Sequence, residues 1–194
     1  FFMHVLSQNY KRFFYPPGGI LIWMIIFIEI LSFGFGLFAF SYYNSLEKAL
    51  FSSSRSLLFT DLATLNTIIL LVSGYFMAMA VQHIKSNNLI KTRLNMRLAM
   101  LGGGLFIAFK FFEYYSKMES GITLSTNMFF TFYYLLTGFH LIHVFVGLVI
   151  LGVIDRNFSS NRTPTSLEDF ESAAAFWHMC DLIWLFIFPA LYLL

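Results

Sequence analysis

The stretch Phe176-Trp-His-Met-Cys-Asp-Leu-Ile-Trp-Leu-Phe-Ile-Phe-Pro-Ala-Leu-Tyr192 decides the fold class, because it is apolar over a length that can cross a bilayer and still contains Asp181. A carboxylate at the centre of a bilayer costs on the order of 3 kcal/mol and therefore requires a polar partner. His178 lies three residues earlier, on the same face of a helix. The stretch therefore predicts a membrane-spanning helix with a polar pair near its centre.

Other apolar stretches contain ionisable residues as well. Thr137-Gly-Phe-His-Leu-Ile-His-Val-Phe-Val-Gly147 holds two histidines at the same spacing, and Met24-Ile-Ile-Phe-Ile-Glu-Ile-Leu-Ser-Phe-Gly-Phe-Gly36 holds one acid at its centre. Groups of this kind are stable in a membrane interior only when they are paired. We expect them to form a buried polar network, whose predicted members are Glu29, Glu113, His140, His143, His178 and Asp181.

Two kinds of chemistry remain open for these groups. Glu29 suits either a carboxyl that ties its helix to a neighbour or a site that exchanges protons or a coupling ion. The histidines suit either hydrogen bonding to Asp181 and nearby tyrosines, or ligation of a metal or haem between helices. The chain has no Cys-x-x-Cys, no His-Glu-x-x-His and no Gly-rich phosphate loop. We therefore predict structural hydrogen bonding, with no catalytic residue, metal or cofactor in this chain.

The composition identifies an integral membrane protein. Of the 194 residues, 58% are hydrophobic and 11% are charged, whereas a soluble domain carries about 25% charged residues. A net charge of +2 without a basic tract gives no indication of nucleic-acid binding. Cys180 is the only cysteine, which excludes an internal disulfide and a multi-cysteine metal site.

Five segments are long and apolar enough to cross a membrane as helices, which takes about 20 residues each. Short polar connections separate them, so we predict an all-α membrane protein in which residues 1–194 form one five-helix domain. The predicted spans are 19–43, 62–84, 94–115, 127–154 and 172–194.

The distribution of basic residues predicts the orientation, because inner loops of membrane proteins are enriched in Lys and Arg. Placing the N-terminus inside and the C-terminus outside puts eight of the twelve basic residues on the inner side. The membrane expected is the bacterial cytoplasmic membrane, with the mitochondrial inner membrane as the alternative. The eight residues are Lys11, Arg12, Lys85, Lys91, Arg93, Arg97, Arg156 and Arg162.

Four groups of residues together resemble subunit III of the haem–copper respiratory oxidases, the cytochrome c and quinol oxidase subunit III family. Residues 137–147 are similar to the family pattern Thr-Gly-Phe-His-x-x-His-Val-x-x-Gly. Glu171-Ser-Ala-Ala-Ala-Phe-Trp-His-Met-Cys-Asp-Leu-Ile-Trp-Leu-Phe186 is similar to Glu-x-x-x-x-Tyr-Trp-His-Phe-Val-Asp-x-x-Trp-Leu-Phe. Weaker similarities are Phe112-Glu-Tyr-Tyr115, and Leu65-Asn-Thr67 with Ser73-Gly74.

The resemblance implies a five-helix accessory subunit that contains neither haem nor copper. It implies binding to a catalytic subunit I, which holds haem and can hold copper, and to other subunits of the complex. It further implies structural phospholipid in a cleft between helices and support of proton uptake by subunit I. Glu29 matches the family's mid-membrane carboxylate, although Ile28 replaces the small residue that often precedes it.

Three basic residues are predicted to bind lipid. Arg156 matches a position that contacts lipid phosphate in relatives, and Arg97 and His83 belong to the basic cluster around residues 83–97. Such clusters attract anionic headgroups at the inner surface, but they equally satisfy the positive-inside rule. Both explanations stay open at the level of the sequence.

Three alternative functions remain. A branch of the same family accompanies nitric oxide reductases, and nothing in this chain separates that branch from the oxidases. A small transporter would explain the buried charges, but transporters usually show Gly- or Pro-broken helices in two matching halves. A haem-binding electron carrier would explain the histidines. The assignment as an accessory subunit of an oxidase explains most of the residue patterns described above.

Overall fold

The computed structural model describes residues 16, 18–160 and 166–194. Five helices in these ranges are long and apolar enough to cross a membrane, which confirms the predicted all-α fold with five spans. The described ranges contain no β-strand. The helices are α1 (Ile20–Leu46), α2 (Lys48–Arg55), α3 (Thr60–Lys85), α4 (Leu89–Glu119), α5 (Met128–Ser160) and α6 (Leu167–Phe188), and α6 continues into a π-helical turn, Pro189–Leu193.

The predicted orientation across the membrane stays a prediction. Lys11, Arg12 and Arg162, three of the residues on which it depends, lie outside the described residues.

Several spanning helices extend beyond the apolar segments predicted from the sequence. Helix α4 begins at Leu89 and ends at Glu119, whereas the apolar segment runs from 94 to 115. Helix α6 begins at Leu167 because the Ser166 side chain accepts a hydrogen bond from the Asp169 backbone nitrogen, at 3.0 Å. Hydropathy marks only the part of a helix that crosses the hydrocarbon, and the helix continues into the polar region on either side.

Helix α2 is a short amphipathic helix that the sequence analysis did not predict. It has eight residues, and it buries Phe51 and Ser54 while its other residues are exposed or half-buried. Asn127 donates a hydrogen bond to the Ser54 hydroxyl at 2.9 Å, and the Arg55 side chain donates to the Leu191 carbonyl at 3.4 Å. Helix α2 therefore links the start of α5 to the end of the chain.

Helix α6 lies at the centre of the bundle, and α1 lies at its edge. More than half of the apolar stretch of α6, 56%, is buried by the other helices, compared with 11% for α1. Helices α3 and α4 form a closely packed pair, and α6 contacts α1, α3 and α5. Helix α6 therefore contributes side chains that contact several other helices of the bundle.

Small residues allow the helices to approach Trp177 of α6. A Cβ atom at Gly103 would collide with the Trp177 ring, and one at Gly147 would lie 2.9 Å from it. The indole nitrogen of Trp177 donates to the Ser73 hydroxyl at 3.1 Å, which in turn donates to the Ala99 carbonyl at 2.7 Å. Glycine and hydroxyl groups at helix contacts are typical of membrane bundles, and here they hold α3, α4, α5 and α6 around one indole.

Candidate functional site

The most deeply buried polar cluster surrounds Lys110 of α4, whose side chain is 1% exposed. Its ammonium donates to Glu113 Oε2 at 3.0 Å, to the Tyr192 hydroxyl at 2.9 Å and to the Tyr133 hydroxyl at 3.4 Å. Tyr192 donates its own proton to Glu113 Oε1 at 2.8 Å. An ammonium has three N–H groups, so every donor of Lys110 has an acceptor. We call these four residues the lysine cluster.

Aromatic rings enclose the ammonium of the lysine cluster. Lys110 Nζ lies 4.9–5.4 Å from the ring centroids of Tyr114, Tyr133 and Trp184. Cations over aromatic faces gain about 2 kcal/mol or more when they are removed from water. The rings therefore stabilise a charged lysine at a depth where lipid would exclude it.

The π-helical turn brings Tyr192 into the lysine cluster. Pro189 begins this turn and has no backbone N–H to donate to the preceding helix. The turn leaves Tyr192 3% exposed, with its hydroxyl between Lys110 and Glu113. Isolated π-helical turns are rare and often occur where a side chain has a particular role.

Lys110, Tyr133 and Tyr192 are members of this cluster that the sequence analysis missed. Glu113 is one of the residues predicted for the polar network, whereas Lys110 is not among them. The signal was nevertheless present, because Lys and Glu three residues apart share a helix face, and both lie between apolar residues of a spanning segment.

Glu29 of α1 is paired with His143 of α5. Glu29 Oε2 lies 3.1 Å from His143 Nε2, and His143 Nδ1 lies 2.8 Å from the Phe139 carbonyl oxygen. A carbonyl can only accept, so Nδ1 carries a proton and donates it. Glu29 Oε2 makes no hydrogen bond of good geometry within the described residues, so the contact with Nε2 is a close approach at ion-pair distance.

His178 and Asp181 of α6 form a second pair, which is more open. His178 Nδ1 lies 3.5 Å from Asp181 Oδ2, and the His178 side chain is 43% exposed. Asp181 lies against Gly74 of α3, where an added Cβ atom would collide with the carboxylate. Asp181 Oδ1 is buried without a hydrogen bond. This carboxylate therefore depends on the absence of a side chain at Gly74 for its place between α3 and α6.

His140 lies apart from both pairs. Its ring stacks on Trp184 at 5.2 Å between centroids and contacts the edges of Phe33 and Phe106. Neither ring nitrogen has a hydrogen-bond partner in the described part of the chain. His140 therefore packs as an aromatic ring, and it does not link His143 to the pair on α6.

The six residues predicted for one network are thus divided among four places. Glu113 belongs to the lysine cluster, Glu29 is paired with His143, His178 is paired with Asp181, and His140 is surrounded by aromatic rings. No cluster of three or more His, Cys, Asp or Glu side chains suited to a metal ion was found in the described residues. Of these three ion pairs, only that of Glu29 and His143 joins two helices; the other two are each formed within one helix.

The basic residues predicted to bind lipid lie near one end of the bundle. Arg97 donates to both oxygens of Asp155 at 3.1 Å and 2.9 Å, and Arg93 donates to the same carboxylate at 3.3 Å. Arg156 is exposed on α5, and His83 is half-buried near the end of α3. Because Asp155 neutralises part of the charge on Arg97, Arg156 is the stronger candidate for an incoming phosphate.

The sequence is similar to that of known proteins over most of the chain. A sequence model of the family described as cytochrome c oxidase subunit III matches residues 18–194. Cytochrome c oxidase subunit 3 of Prototheca wickerhamii is 33% identical over 133 residues, which cover 68% of this chain and 50% of that protein. The subunit 3 of Petromyzon marinus is 32% identical over the same shares of both chains.

A third relative is similar over a longer range. Cytochrome c oxidase subunit 3 of Allomyces macrogynus is 30% identical over 184 residues, which cover 90% of this chain and 66% of that protein. The chain spans about half the length of the first two relatives and about two thirds of the third. Since the family match extends from residue 18 to residue 194, the chain belongs to the cytochrome c oxidase subunit III family.

Proposed function

We propose that this protein is an accessory subunit of a haem–copper terminal oxidase and has no active site of its own. The observation that carries the proposal is the family match over residues 18–194. The local geometry supports it, because the buried ionisable side chains bind each other, as in the pair of Lys110 and Glu113. Paired groups of this kind stabilise a buried position in a membrane bundle.

The proposed partner is a catalytic subunit that binds haem and, in an oxidase, copper, together with the other subunits of that complex. The relatives named above carry the name of a subunit, which supports assembly with other chains. The membrane we propose is the bacterial cytoplasmic membrane, with the mitochondrial inner membrane as the alternative. Association with a nitric oxide reductase stays a prediction of the sequence, and the names of the relatives favour the oxidase.

A phospholipid is proposed to bind in the groove between α1, α5 and α6. This groove has a volume of about 500 Å³, and Ile22, Val149, Val153 and Phe176 form part of its apolar wall. Asn157 lies in its lining and directly follows Arg156 on α5. An acyl chain suits the wall, and Arg156 suits the phosphate because guanidinium–phosphate hydrogen bonds are strong. Arg97 and His83 are the further residues proposed to lie near headgroups.

The proposed contribution to proton uptake is indirect. Glu29 Oε2 and His143 Nε2 lie 3.1 Å apart, and proton transfer along a path needs groups or waters within hydrogen-bond reach at every step. One pair does not make such a path. We propose that the pair holds α1 against α5 and thereby shapes lipid and water beside the catalytic subunit.

Affinity purification tests this function. An N-terminal tag on the chain, mild detergent extraction and an optical spectrum should yield a complex that contains a haem protein, and lipid analysis should find phospholipid retained. The chain purified alone in harsher detergent should show no Soret absorption. A tagged chain that brings down no haem protein from its native membrane would contradict the assignment, and Soret absorption of the isolated chain would favour a haem carrier.

A further inference from the structure

The groove between α1, α5 and α6 changes in polarity along its length. Val149, Val153 and Phe176 form its apolar part, whereas Asn157 and Asp169 line it where α5 ends and α6 begins. Asn157 lies eight residues after Val149, which is about 12 Å along the helix axis at 1.5 Å per residue. The groove therefore has an apolar part inside the bundle and a polar part at one end of it, as a phospholipid has acyl chains and a headgroup.

The carboxylate of Asp169 is the charged group that lines the polar end of the groove. Its side chain is exposed, and it forms no ion pair within the described residues. Acids in the first turn of a helix stabilise the positively polarised N-terminus, and Glu168 lies in the same turn. Glu168 is not among the described residues that line the groove. Asp169 is therefore the acid of this turn that a bound headgroup would meet.

The polar side chains at this end favour a headgroup that carries a cation beside its phosphate. The Asp169 carboxylate repels a phosphate and attracts an ammonium. The amide oxygen of Asn157 is a second acceptor for N–H groups. Arg156 directly precedes Asn157 and is exposed, and its guanidinium suits the phosphate. A zwitterionic headgroup therefore matches this end of the groove better than an anionic one.

We propose that the groove selects a phospholipid with a primary ammonium headgroup, of the phosphatidylethanolamine class, and that Asp169 accepts hydrogen bonds from this ammonium. A primary ammonium carries three N–H donors. The trimethylammonium of phosphatidylcholine has none, and the glycerol headgroup of phosphatidylglycerol has no positive charge. Asp169 is thus the residue that determines headgroup specificity. This proposal rests on the proposed function, because it names the lipid of the groove assigned there.

Lipid retention by the purified complex tests the proposal. The tagged full complex is reconstituted into vesicles of equal parts phosphatidylethanolamine, phosphatidylglycerol and phosphatidylcholine with identical acyl chains. It is then extracted again in mild detergent, and the lipids retained are counted by native mass spectrometry. We expect the wild type to retain phosphatidylethanolamine in preference to both other lipids. Preference for phosphatidylglycerol, or equal retention of phosphatidylethanolamine and phosphatidylcholine, would overturn the proposal.

Two substitutions in one helical turn identify the residue responsible. Asp169→Asn keeps the shape of the side chain but removes its charge, so the ratio of phosphatidylethanolamine to phosphatidylglycerol should fall about threefold, the size expected for one ion pair at a surface. Glu168→Gln removes a charge from the same turn outside the groove lining and should leave the ratio unchanged.

Haem recovered per tagged chain shows whether each variant assembles, and we expect it to be equal in all three forms. The same ratio in Asp169→Asn as in the wild type, or the same fall in both variants, would overturn the proposal. A haem-containing complex that retains none of the three lipids would overturn it as well. Absence of a haem protein from the wild-type purification would instead contradict the proposed function.

Discussion

The lysine cluster and the pair of His178 and Asp181 contain the same local pattern in two different surroundings. Lys110 and Glu113 are three residues apart on α4, and His178 and Asp181 are three residues apart on α6. The first two side chains are each 1% exposed, whereas the second two are 43% and 10% exposed. The same three-residue spacing therefore occurs once in a pair that the other helices bury completely and once in a pair that stays partly exposed.

The neighbouring side chains account for this difference. Tyr133 and Tyr192 supply hydroxyl groups and rings that complete the lysine cluster. Gly74 supplies no side chain beside the pair on α6, so Asp181 fits there but gains no hydrogen bond from that residue. The closed cluster stabilises this chain by itself. The open pair has no comparable set of partners among the described residues, since Asp181 Oδ1 makes no hydrogen bond.

The largest effect is expected from opening the lysine cluster. Lys110→Leu leaves the Glu113 carboxylate buried without its cation, which typically costs about 3–5 kcal/mol. We expect little of this variant in the membrane and a strongly lowered melting temperature in mild detergent.

The double variant Lys110→Leu with Glu113→Leu is the matched control. It removes both charges, so it should recover a large part of the lost stability, since apolar replacement of a buried pair is often nearly neutral. A single variant as stable as the wild type would show that the ion pair does not hold the bundle.

The next largest effect concerns the hydroxyl of Tyr192. Tyr192→Phe removes one acceptor from Lys110 and one donor to Glu113, and a buried group left unsatisfied in this way costs about 1–3 kcal/mol. Thermal unfolding of the purified chain measures the loss. Tyr75→Phe is the control, because Tyr75 is 61% exposed, and surface substitutions usually change stability by about 0.5 kcal/mol or less. Equal stability of the two variants would show that the Tyr192 hydroxyl does not stabilise the lysine cluster.

The Lys110 and Tyr192 sites show what the sequence can and cannot predict. Apolar length predicted the five spans, because the hydrocarbon thickness fixes how long a spanning helix must be. The three-residue spacing of Lys110 and Glu113 predicts a shared helix face. It does not reveal that a π-helical turn after Pro189 brings Tyr192 between them, since that depends on how α6 ends and packs.

The partners of the histidines were not accessible from sequence for a similar reason. His143 is paired with Glu29, which lies 114 positions earlier in the chain, whereas His140 on the same helix stacks on Trp184. A difference of three residues rotates a side chain by about 60° relative to the first, enough to face a different neighbour at a crowded helix contact. Polarity and spacing indicated that the groups are buried, and only the packing of α1, α5 and α6 determines their partners.

A smaller effect on the isolated chain is expected at the open pair. Asp181 Oδ1 has no hydrogen bond to lose, and the contact with His178 is long. Asp181→Ala should therefore lower the stability of the purified chain by only about 0.5–1.5 kcal/mol. Incorporation of the chain into its complex should fall more clearly, because removal of the Asp181 side chain leaves a gap where α6 packs on Gly74 of α3.

Comparing the melting of the isolated chain with the yield of complex separates these two effects. Asp181→Asn, which keeps the shape of the side chain, should fall between Asp181→Ala and the wild type. Wild-type yield and heat resistance of the Asp181→Ala complex would show that the open pair is not needed for assembly.

The smallest effect is expected from Glu29→Gln, and it distinguishes an anchor from a proton-transfer group. With Nδ1–H donated to the Phe139 carbonyl, neutral His143 presents Nε2 as an acceptor. A glutamine amide can donate to this nitrogen, so Glu29→Gln keeps the link between α1 and α5 but removes the exchangeable proton. If the pair is an anchor, turnover in proteoliposomes should stay within about tenfold, a change in barrier of about 1.4 kcal/mol or less. Glu29→Ala loses the link in either case and should lower the amount of intact complex. Immediate and nearly complete loss of turnover in an intact, fully haem-loaded Glu29→Gln complex would show that the proton itself is required, because the helix contact survives in that variant.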